Sequence, residues 1–174
     1  MHPIVEYIKN SWKEHRNNSD KKNTFAVNRY IFPQIVDMLS DCKDIAFISI
    51  GETKDCIEYN KFEDYGHYLK DSKNVLNIDF DDLECDFTFE GYNFKAITDE
   101  QAVQIYDFLM KHSDKHIICH CRAGKSRSAA ISEFLLQMFS DKYEECEANR
   151  INSDKTPNGE VLRKLKRIYY EYPN

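Results

Sequence analysis

The sequence predicts an α/β fold with a central, mostly parallel sheet flanked by helices. Three short apolar segments rich in β-branched residues indicate buried strands at residues 44–50, 74–80 and 116–119. Segments with helical periodicity lie between and after these strands. Strands that alternate with helices favour a parallel sheet, because each crossover connection packs its helix on a face of the sheet.

Four segments carry the signals of helices. Apolar side chains recur at helical spacing in each of them, and Thr98 or Asp99 can cap the second one at its start. The predicted helices cover residues 30–40, 97–112, 125–140 and 160–170. Ligands of a parallel sheet bind at the carboxyl ends of its strands, so the residues that follow each strand are the first candidates for a site.

Length and composition indicate one domain. The chain has 174 residues, 41% of them hydrophobic, which is enough to bury a core, and the predicted domain covers residues 1–174. Its first part, residues 1–23, is predicted to be an N-terminal helical segment followed by a polar loop. No segment has the apolar length of a membrane span, and the first residues lack the pattern of a signal peptide. We therefore expect a cytoplasmic monomer with no membrane span.

The net charge of the chain argues against a nucleic acid as its partner. It has 30 acidic and 24 basic residues, a net charge of −6, and such a chain is a poor ligand for the backbone of a nucleic acid, so no nucleic-acid partner is expected. The 6 cysteines are expected to be reduced thiols in a cytosolic protein of this size. The basic residues around Cys121 form a local positive region in this acidic chain, and an anionic partner is expected to bind at such a region.

The nine residues from His120 to Ser128, HCRAGKSRS, follow the third predicted strand and lead into a helix. A short loop between a strand and a helix can present successive backbone N–H groups to an anion, and the helix N-terminus adds its partial positive charge. Gly124 permits the sharp turn that such a loop needs. The predicted phosphate-binding loop therefore comprises Arg122, Ala123, Gly124, Lys125, Ser126 and Arg127.

The same loop carries the groups that nucleophilic catalysis on a phosphate ester needs. A thiolate at Cys121 would attack phosphorus and form a cysteinyl-phosphate intermediate, which water then hydrolyses. Arg127 can bind two phosphate oxygens through its guanidinium fork. Ser128 is placed to donate a hydrogen bond to the departing thiolate, and His120 is expected to support the loop from behind rather than to act as an acid.

These residues resemble the signature of the cysteine-dependent protein phosphatases, in which His-Cys is followed by five residues and Arg-Ser. The stretch Ala123–Ser128 is similar to the dual-specificity branch in particular. The resemblance spans about residues 25–172, although only the loop is sharply diagnostic. It implies a sheet flanked by helices and a phosphocysteine mechanism that uses no metal and no cofactor.

The resemblance also implies an aspartate that protonates the leaving group, supplied by a loop after the preceding strand. The sequence offers several aspartates there, and alignment of Ile78 with the end of that strand favours Asp82, with Asp81 as the close rival. Asp79 would point to another face, and Asp86 is a more distant candidate. The segment from Glu84 to Ala96 is longer than is usual in this branch, and it is predicted to be a lid or a substrate-facing segment.

Other interpretations of the loop fit less well. A Walker A loop needs a glycine where the sequence has Cys119, and a sulfurtransferase loop has one residue fewer between its cysteine and arginine. A metal site is disfavoured because the side chains of His120 and Cys121 alternate on a strand and because a metal would consume the nucleophile. A binding module that holds phosphorylated partners without turnover stays open as an alternative.

The favoured substrate is a phosphorylated protein carrying phosphotyrosine, with phosphoserine and phosphothreonine as further substrates. Basic residues at the positions of Arg122 and Lys125 are similar to those of lipid phosphatases, so a phosphoinositide or another polyphosphorylated small molecule is the runner-up. Arg29 lies in Asn28-Arg29-Tyr30, which resembles part of a phosphotyrosine-recognition motif. It is nevertheless predicted to be a solvated helix residue, because the residues that follow do not continue the motif.

Overall fold

The computed structural model describes residues 5–6, 10, 20–39, 43–145 and 154–172. In this part of the chain, five strands form one sheet in the order β3-β2-β6-β1-β7, and every neighbouring pair is parallel. The strands are β1 (Lys22–Asn28), β2 (Ile45–Gly51), β3 (Val75–Asp79), β6 (His116–Cys121) and β7 (Tyr143–Glu145). The predicted α/β fold with a central parallel sheet is confirmed.

Helices cover both faces of this sheet. They are α1 (Phe32–Leu39), α2 (Lys54–Asn60), α3 (Asp99–Lys111), α4 (Arg127–Met138) and α5 (Gly159–Glu171). One core cluster joins α1 to one face of the sheet, and a larger cluster joins α3, α4 and α5 to the other. Alternate residues of a strand enter opposite clusters, so Ile118 packs toward α1 while Cys119 and Cys121 pack toward α4.

The predicted helices and strands are present, with small shifts at their ends. Thr98 caps α3 through a capping box with Gln101, and the strand predicted to end at residue 119 continues to Cys121. That extension places the candidate nucleophile within β6 itself. The predicted helical segment and loop at residues 1–23 lie mostly outside the described residues, and Lys22 and Asn23 belong to β1 rather than to a loop.

Several elements were absent from the sequence prediction. β1 and β7 add strands to one side of the sheet, and α2 follows β2 directly. The segment predicted to be a lid contains an antiparallel hairpin of β4 (Phe87–Phe89) and β5 (Tyr92–Phe94). Among the described residues, no helix has the length and apolarity that crossing a bilayer requires.

Candidate active site

The candidate site lies at the carboxyl edge of the sheet, where the ends of four adjacent strands meet. Arg29 follows β1, Arg122 follows β6 and Glu52 follows β2, while Asp82 lies in the segment after β3. Because all these strands are parallel, the residues that follow them project from the same edge. The topology therefore brings together groups that are far apart in the sequence, such as Arg29 and Arg122.

Cys121 is the last residue of β6 and is 2% exposed. Its Sγ lies 3.2 Å from Oγ of Ser128, a residue in the first turn of α4 that is itself fully buried. This contact brings together the predicted nucleophile and the predicted hydrogen-bond donor. Cys119, two residues earlier on the same face, is fully buried, and burial raises its pKa far above the ordinary value, so that thiol stays protonated.

Gly124 has a positive φ of 71°, which L-residues with a side chain rarely adopt. A Cβ at this position would lie 2.4 Å from the carbonyl carbon of Val27 and 2.5 Å from the amide nitrogen of Asn28. The loop therefore passes against the end of β1 so closely that only glycine fits. This approach fixes the path of the loop over the edge of the sheet.

The backbone of the loop leaves its N–H groups available to an anion. The carbonyls of Lys125 and Ser126 accept hydrogen bonds from Thr156 and Asn158, whereas the amides of residues 123–126 have no acceptor among the described residues. Helix α4 begins directly after this loop, and the side chain of its N-cap, Ser126, makes no capping hydrogen bond. The N–H groups in the first turn of α4 are thus also open to an anion.

Arg127 is held rigidly beside the loop. One of its terminal nitrogens, Nη1, donates to the carbonyl oxygens of Gly51 (2.8 Å) and Phe80 (2.6 Å), and Nη2 donates to Oε1 of Glu52 (2.6 Å). Burial lowers the pKa of the guanidinium, but the charges of Cys121 and Glu52 outweigh burial, so the pKa stays above its ordinary value. Its Nε is buried and has no partner among the described residues, and one N–H of Nη2 is also unused, which leaves two of its five N–H donors for a ligand.

Glu52 is the centre of a cluster of three arginines that the sequence prediction missed. Its Oε1 binds Arg127, and its Oε2 accepts from Arg29 (2.6 Å) and Arg122 (3.1 Å). Burial raises the pKa of this carboxyl, but the hydrogen bond and charge of Arg127, with the charges of the other arginines, bring it below the usual value. A buried carboxylate is therefore kept ionised by three cations.

The prediction for Arg29 is wrong. Its side chain is only 8% exposed, pairs with Glu52 and lies in the turn before α1 rather than in a solvated helix. The physical reason is that Arg29 directly follows β1 and Glu52 directly follows β2, so both residues lie at the same edge of the sheet. A buried carboxylate requires charged partners, and Arg29 is one of them. A charged residue just after a predicted buried strand is the signal that could have identified Glu52, whereas Arg29 follows β1, a strand that was not predicted.

The two rival aspartates have different surroundings. Asp81 is 2% exposed, and its oxygens accept hydrogen bonds from the amide and hydroxyl of Thr53 and from the amide of Lys95, so it ties three segments together. Asp82 is exposed, and its Oδ1 accepts from the hydroxyl of Ser126 in the loop at 2.6 Å and from Nδ2 of Asn158 at 2.8 Å. In the part of the chain that the structure describes, Asp82 is hydrogen-bonded to the loop and Asp81 is not.

The other two candidate aspartates are engaged elsewhere. Asp79 accepts from Nε2 of His67 at 2.9 Å, and Asp86 binds Nζ of Lys95 and the amide of Ala96. The Lys95 hydrogen bond holds the pKa of Asp86 below its usual value, which keeps that carboxyl ionised. Among the described residues, neither carboxyl is hydrogen-bonded to the loop.

His120 lies behind the loop and faces α1. Its ring packs on Phe32 with a centroid distance of 4.1 Å, and its Nε2 is 2.7 Å from the hydroxyl of Ser49, which also contacts Nδ1 of His67 at 2.6 Å. Burial, followed by the charges of Arg29 and His67, lowers the pKa of His120 to about 3, so the ring is neutral near pH 7. A neutral, buried imidazole is consistent with the predicted supporting role.

The remaining loop residues point away from this centre or are small. Lys125 is exposed, and its Nζ lies 3.6 Å from a carboxylate oxygen of Asp154. Ala123 is exposed and carries no polar side chain. Of the two basic residues that favoured a polyphosphorylated substrate, Arg122 therefore faces the cluster around Glu52 and Lys125 faces outward. In the described part of the chain, no group of three or more metal-ligating side chains is assembled.

Comparison with solved structures finds a likeness of the fold. No protein-family model and no curated protein matches the chain. A crystal structure of the human tyrosine phosphatase-like serine/threonine/tyrosine-interacting protein superposes with a TM-score of 0.48 and 18% identity, over 85% of this chain and 91% of that one.

Proposed function

We propose that the protein is a cysteine-dependent phosphatase that hydrolyses phosphotyrosine in proteins, with phosphoserine and phosphothreonine as further substrates. The observation that carries this proposal is the loop from Cys121 to Arg127. It joins a buried thiol to a buried guanidinium and leaves its amides unpaired among the described residues. Unpaired amides, an open helix N-terminus and a cation together form a site for a phosphate dianion.

In the proposed first step, the thiolate of Cys121 attacks phosphorus and a P–S bond forms as the bond from phosphorus to the ester oxygen breaks. The departing oxygen takes a proton from Asp82, whose Oδ2 has no partner among the described residues. Ser126 and Asn158 hold Oδ1 of the same carboxyl, so the side chain is oriented while one oxygen stays available.

In the second step, water attacks phosphorus and gives up a proton to the carboxylate of Asp82, the P–S bond breaks, and inorganic phosphate leaves. The electron pair returns to the sulfur of Cys121, where Ser128 at 3.2 Å can donate a hydrogen bond to it. Arg127 binds the phosphate oxygens in both steps, and Glu52 holds the guanidinium in place throughout. The residues of the site supply the groups for both steps without a metal or a cofactor.

A first test compares Cys121→Ser with Cys119→Ala on an aryl phosphate in the presence of a chelator. We expect Cys121→Ser to abolish turnover, because the hydroxyl is a far weaker nucleophile, and Cys119→Ala to retain it, because that thiol lies in the core. Mass spectrometry of acid-quenched wild-type protein should show a phosphoryl group on Cys121. Unchanged turnover in Cys121→Ser would remove the nucleophile from the proposal, and binding of phosphopeptides without turnover by the wild type would favour the binding module.

A second test measures Arg127→Lys. A lysine keeps the charge but cannot donate to Gly51, Phe80, Glu52 and a phosphate at once, so we expect kcat/KM to fall by at least about a hundredfold. Parallel assays on a phosphotyrosine peptide, a phosphothreonine peptide and an inositol phospholipid then rank the substrate classes. Near-normal turnover by Arg127→Lys would contradict the proposed phosphate site, and a preference for the phospholipid would overturn the assignment to proteins.

A further inference from the structure

The hairpin of β4 and β5 exposes aromatic side chains that the proposed reaction does not use. Phe87 and Phe89 project from the same face of β4, because one residue separates them, and they are 45% and 48% exposed. Tyr59 of α2 lies beside this face and is 36% exposed. We call these three rings the aromatic face. A contiguous group of exposed rings marks a binding surface, whereas single exposed rings do not.

Ring contacts hold the aromatic face in one arrangement. Phe87 stacks on Phe94 of β5 at a centroid distance of 4.6 Å, and Tyr59 makes edge contacts with Phe89 at 5.9 Å and with Phe94 at 5.3 Å. In the described part of the chain, the two core clusters on the sheet include none of these rings. The rings thus hold the hairpin on α2, and those that stay exposed are preorganised for a partner.

The hairpin is attached to the segment that carries the proposed acid. Asp81 accepts hydrogen bonds from the amide of Thr53, which caps α2, and from the amide of Lys95, which directly follows β5. Asp82 is the next residue, and Phe87 follows it by five positions, so their Cα atoms lie at most roughly 18 Å apart. A peptide whose phosphate is bound in the loop can therefore reach the aromatic face with about five extended residues.

The outer edge of β4 is open beside the aromatic face. In the part of the chain that the structure describes, β4 pairs with β5 alone, so the backbone groups on its other side have no strand partner. An extended peptide can add to such an edge through backbone hydrogen bonds, and its alternate side chains then lie on one face. The edge therefore favours a partner that binds in an extended conformation.

Carboxylates around the aromatic face define the charge of its partner. The side chains of Glu58, Glu84 and Glu90 are exposed and have no ion-pair partner among the described residues. Residues 54–61 and 84–95, which form this surface, together carry five carboxylates and three lysines, an excess of two negative charges. Such a surface repels anionic lipids and nucleic acids and attracts lysine and arginine side chains. The partner that fits is both apolar and basic.

We infer that the aromatic face docks a segment of the phosphoprotein substrate that carries a large apolar side chain next to lysine or arginine, about five residues from the phosphorylated one. This inference rests on the proposed phosphatase function and deepens it by naming a recognition element outside the phosphate loop. The apolar side chain packs on the rings, the cations face the carboxylates, and the peptide backbone runs along the edge of β4. The hairpin then selects the substrate whose phosphate the loop binds.

The test measures binding to Cys121→Ser protein by calorimetry, with three phosphotyrosine peptides of equal length. The first peptide carries Phe-Arg-Lys on both sides of the phosphotyrosine, about five residues away. The second has alanine in place of both phenylalanines, and the third has Glu-Glu in place of both Arg-Lys pairs. We expect the first peptide to bind about tenfold more tightly than either of the others, the gain from covering two half-exposed rings and from pairing charges at their rim.

Substitutions on the hairpin should remove these differences. Phe89→Ser, added to Cys121→Ser, should bring the ratio for the first two peptides close to one, and Phe87→Ser replaces it if a thermal melt shows that it does not fold. Glu90→Asn should reduce the preference for the basic peptide over the acidic one. Glu90 has a positive φ of 51°, where asparagine is favoured, so the turn is retained. Tyr170→Ser is the matched control, because this ring is 68% exposed on α5 and its loss should leave both ratios unchanged.

The remaining outcomes separate this inference from the proposed function. If the wild type hydrolyses the peptides while both binding ratios are one, the docking surface is wrong and the phosphatase stands. If the ratios are high and sensitive to Phe89→Ser and Glu90→Asn but the wild type hydrolyses no peptide, the docking surface stands and the proposed reaction is wrong. If the ratios are one and sedimentation shows self-association that Phe89→Ser abolishes, a second copy covers the aromatic face and the assignment to a substrate is overturned.

Discussion

Asp81 and Asp82 follow β3 and have different surroundings. We therefore expect Asp81 to contribute to stability and Asp82 to the proposed reaction. The oxygens of Asp81 meet three donors in a buried position, whereas Asp82 is exposed and bonded to the loop. An amide at position 81 would turn an NH2 group toward one or more of those donors and leave buried groups unpaired. An amide at position 82 would remove only a proton donor and acceptor from the surface of the site.

We therefore predict opposite effects for Asp81→Asn and Asp82→Asn. Asp81→Asn should lower the free energy of unfolding by about 2–3 kcal/mol, measured by urea denaturation. Asp82→Asn should leave that free energy within about 0.5 kcal/mol and lower kcat on an alkyl or peptide phosphate by about a hundredfold or more. A fully folded Asp81→Asn protein with the larger loss of kcat would move the acid to Asp81.

At this scale, the sequence motif identified residues of the loop that lie close together, but not the residues that hold them in place. The positions of Cys121, Arg127 and Ser128 follow from a local motif, and the structure brings them together as neighbours. The pairing of Glu52 with Arg29 was not predicted, because the two residues follow different strands that are distant in the sequence. A buried ion pair between distant segments has no periodicity in the sequence that could reveal it.

At the scale of elements, the start of α5 connects a helix cap to the proposed acid. The side chain of Asn158 accepts a hydrogen bond from the amide of Val161 through Oδ1, which caps α5, and donates through Nδ2 to Asp82. Its backbone amide also donates to the carbonyl of Ser126 in the loop. One residue thus caps a helix and orients both the loop and the carboxyl, which makes Asn158 a positioning residue in the proposed reaction.

A pair of substitutions can separate these two functions of Asn158. Asn158→Ser keeps a good N-cap but is too short to reach Asp82, so we expect stability within about 0.5 kcal/mol of wild type and a tenfold lower kcat. Asn158→Ala loses the cap as well, so it should cost about 1 kcal/mol in addition. Urea denaturation and steady-state kinetics measure the two effects, and equal kcat values for Asn158→Ser and wild type would refute the positioning role.

The elements that could be predicted are those with a strong local pattern. The capping box at Thr98 and the apolar strands β2, β3 and β6 were identified because each pattern repeats within a few residues. β1 was missed because Lys22 and Asn23 begin it with polar side chains. Asn23 is nevertheless buried beside β6, where its backbone amide donates a hydrogen bond to Nδ1 of His116. The middle of the segment, Thr24 to Val27, contains strand-forming residues, so its polar ends and not a weak propensity concealed the strand.

For the whole molecule, the buried charge cluster makes stability depend on pH in one defined window. The pKa of Glu52 lies below its ordinary value of 4.5, since the arginines outweigh the effect of burial. A carboxyl with a lowered pKa in the folded protein contributes stability that is complete above the unfolded value and disappears as the pH falls through the folded value. Protonation of Glu52 would leave three buried or half-buried guanidiniums around a neutral group.

We predict that Glu52→Gln lowers the free energy of unfolding by about 3 kcal/mol at pH 7, because the buried arginines lose their counter-charge. The difference from wild type should shrink as the pH falls below 4.5, since the wild-type carboxyl then becomes neutral as well. Urea denaturation of both proteins at a series of pH values measures this difference. Asp86→Asn is the control, because that carboxyl is half exposed and its pair with Lys95 should contribute at most about 1 kcal/mol. A difference between Glu52→Gln and wild type that stays constant down to pH 3 would show that the charge of Glu52 does not stabilise the cluster.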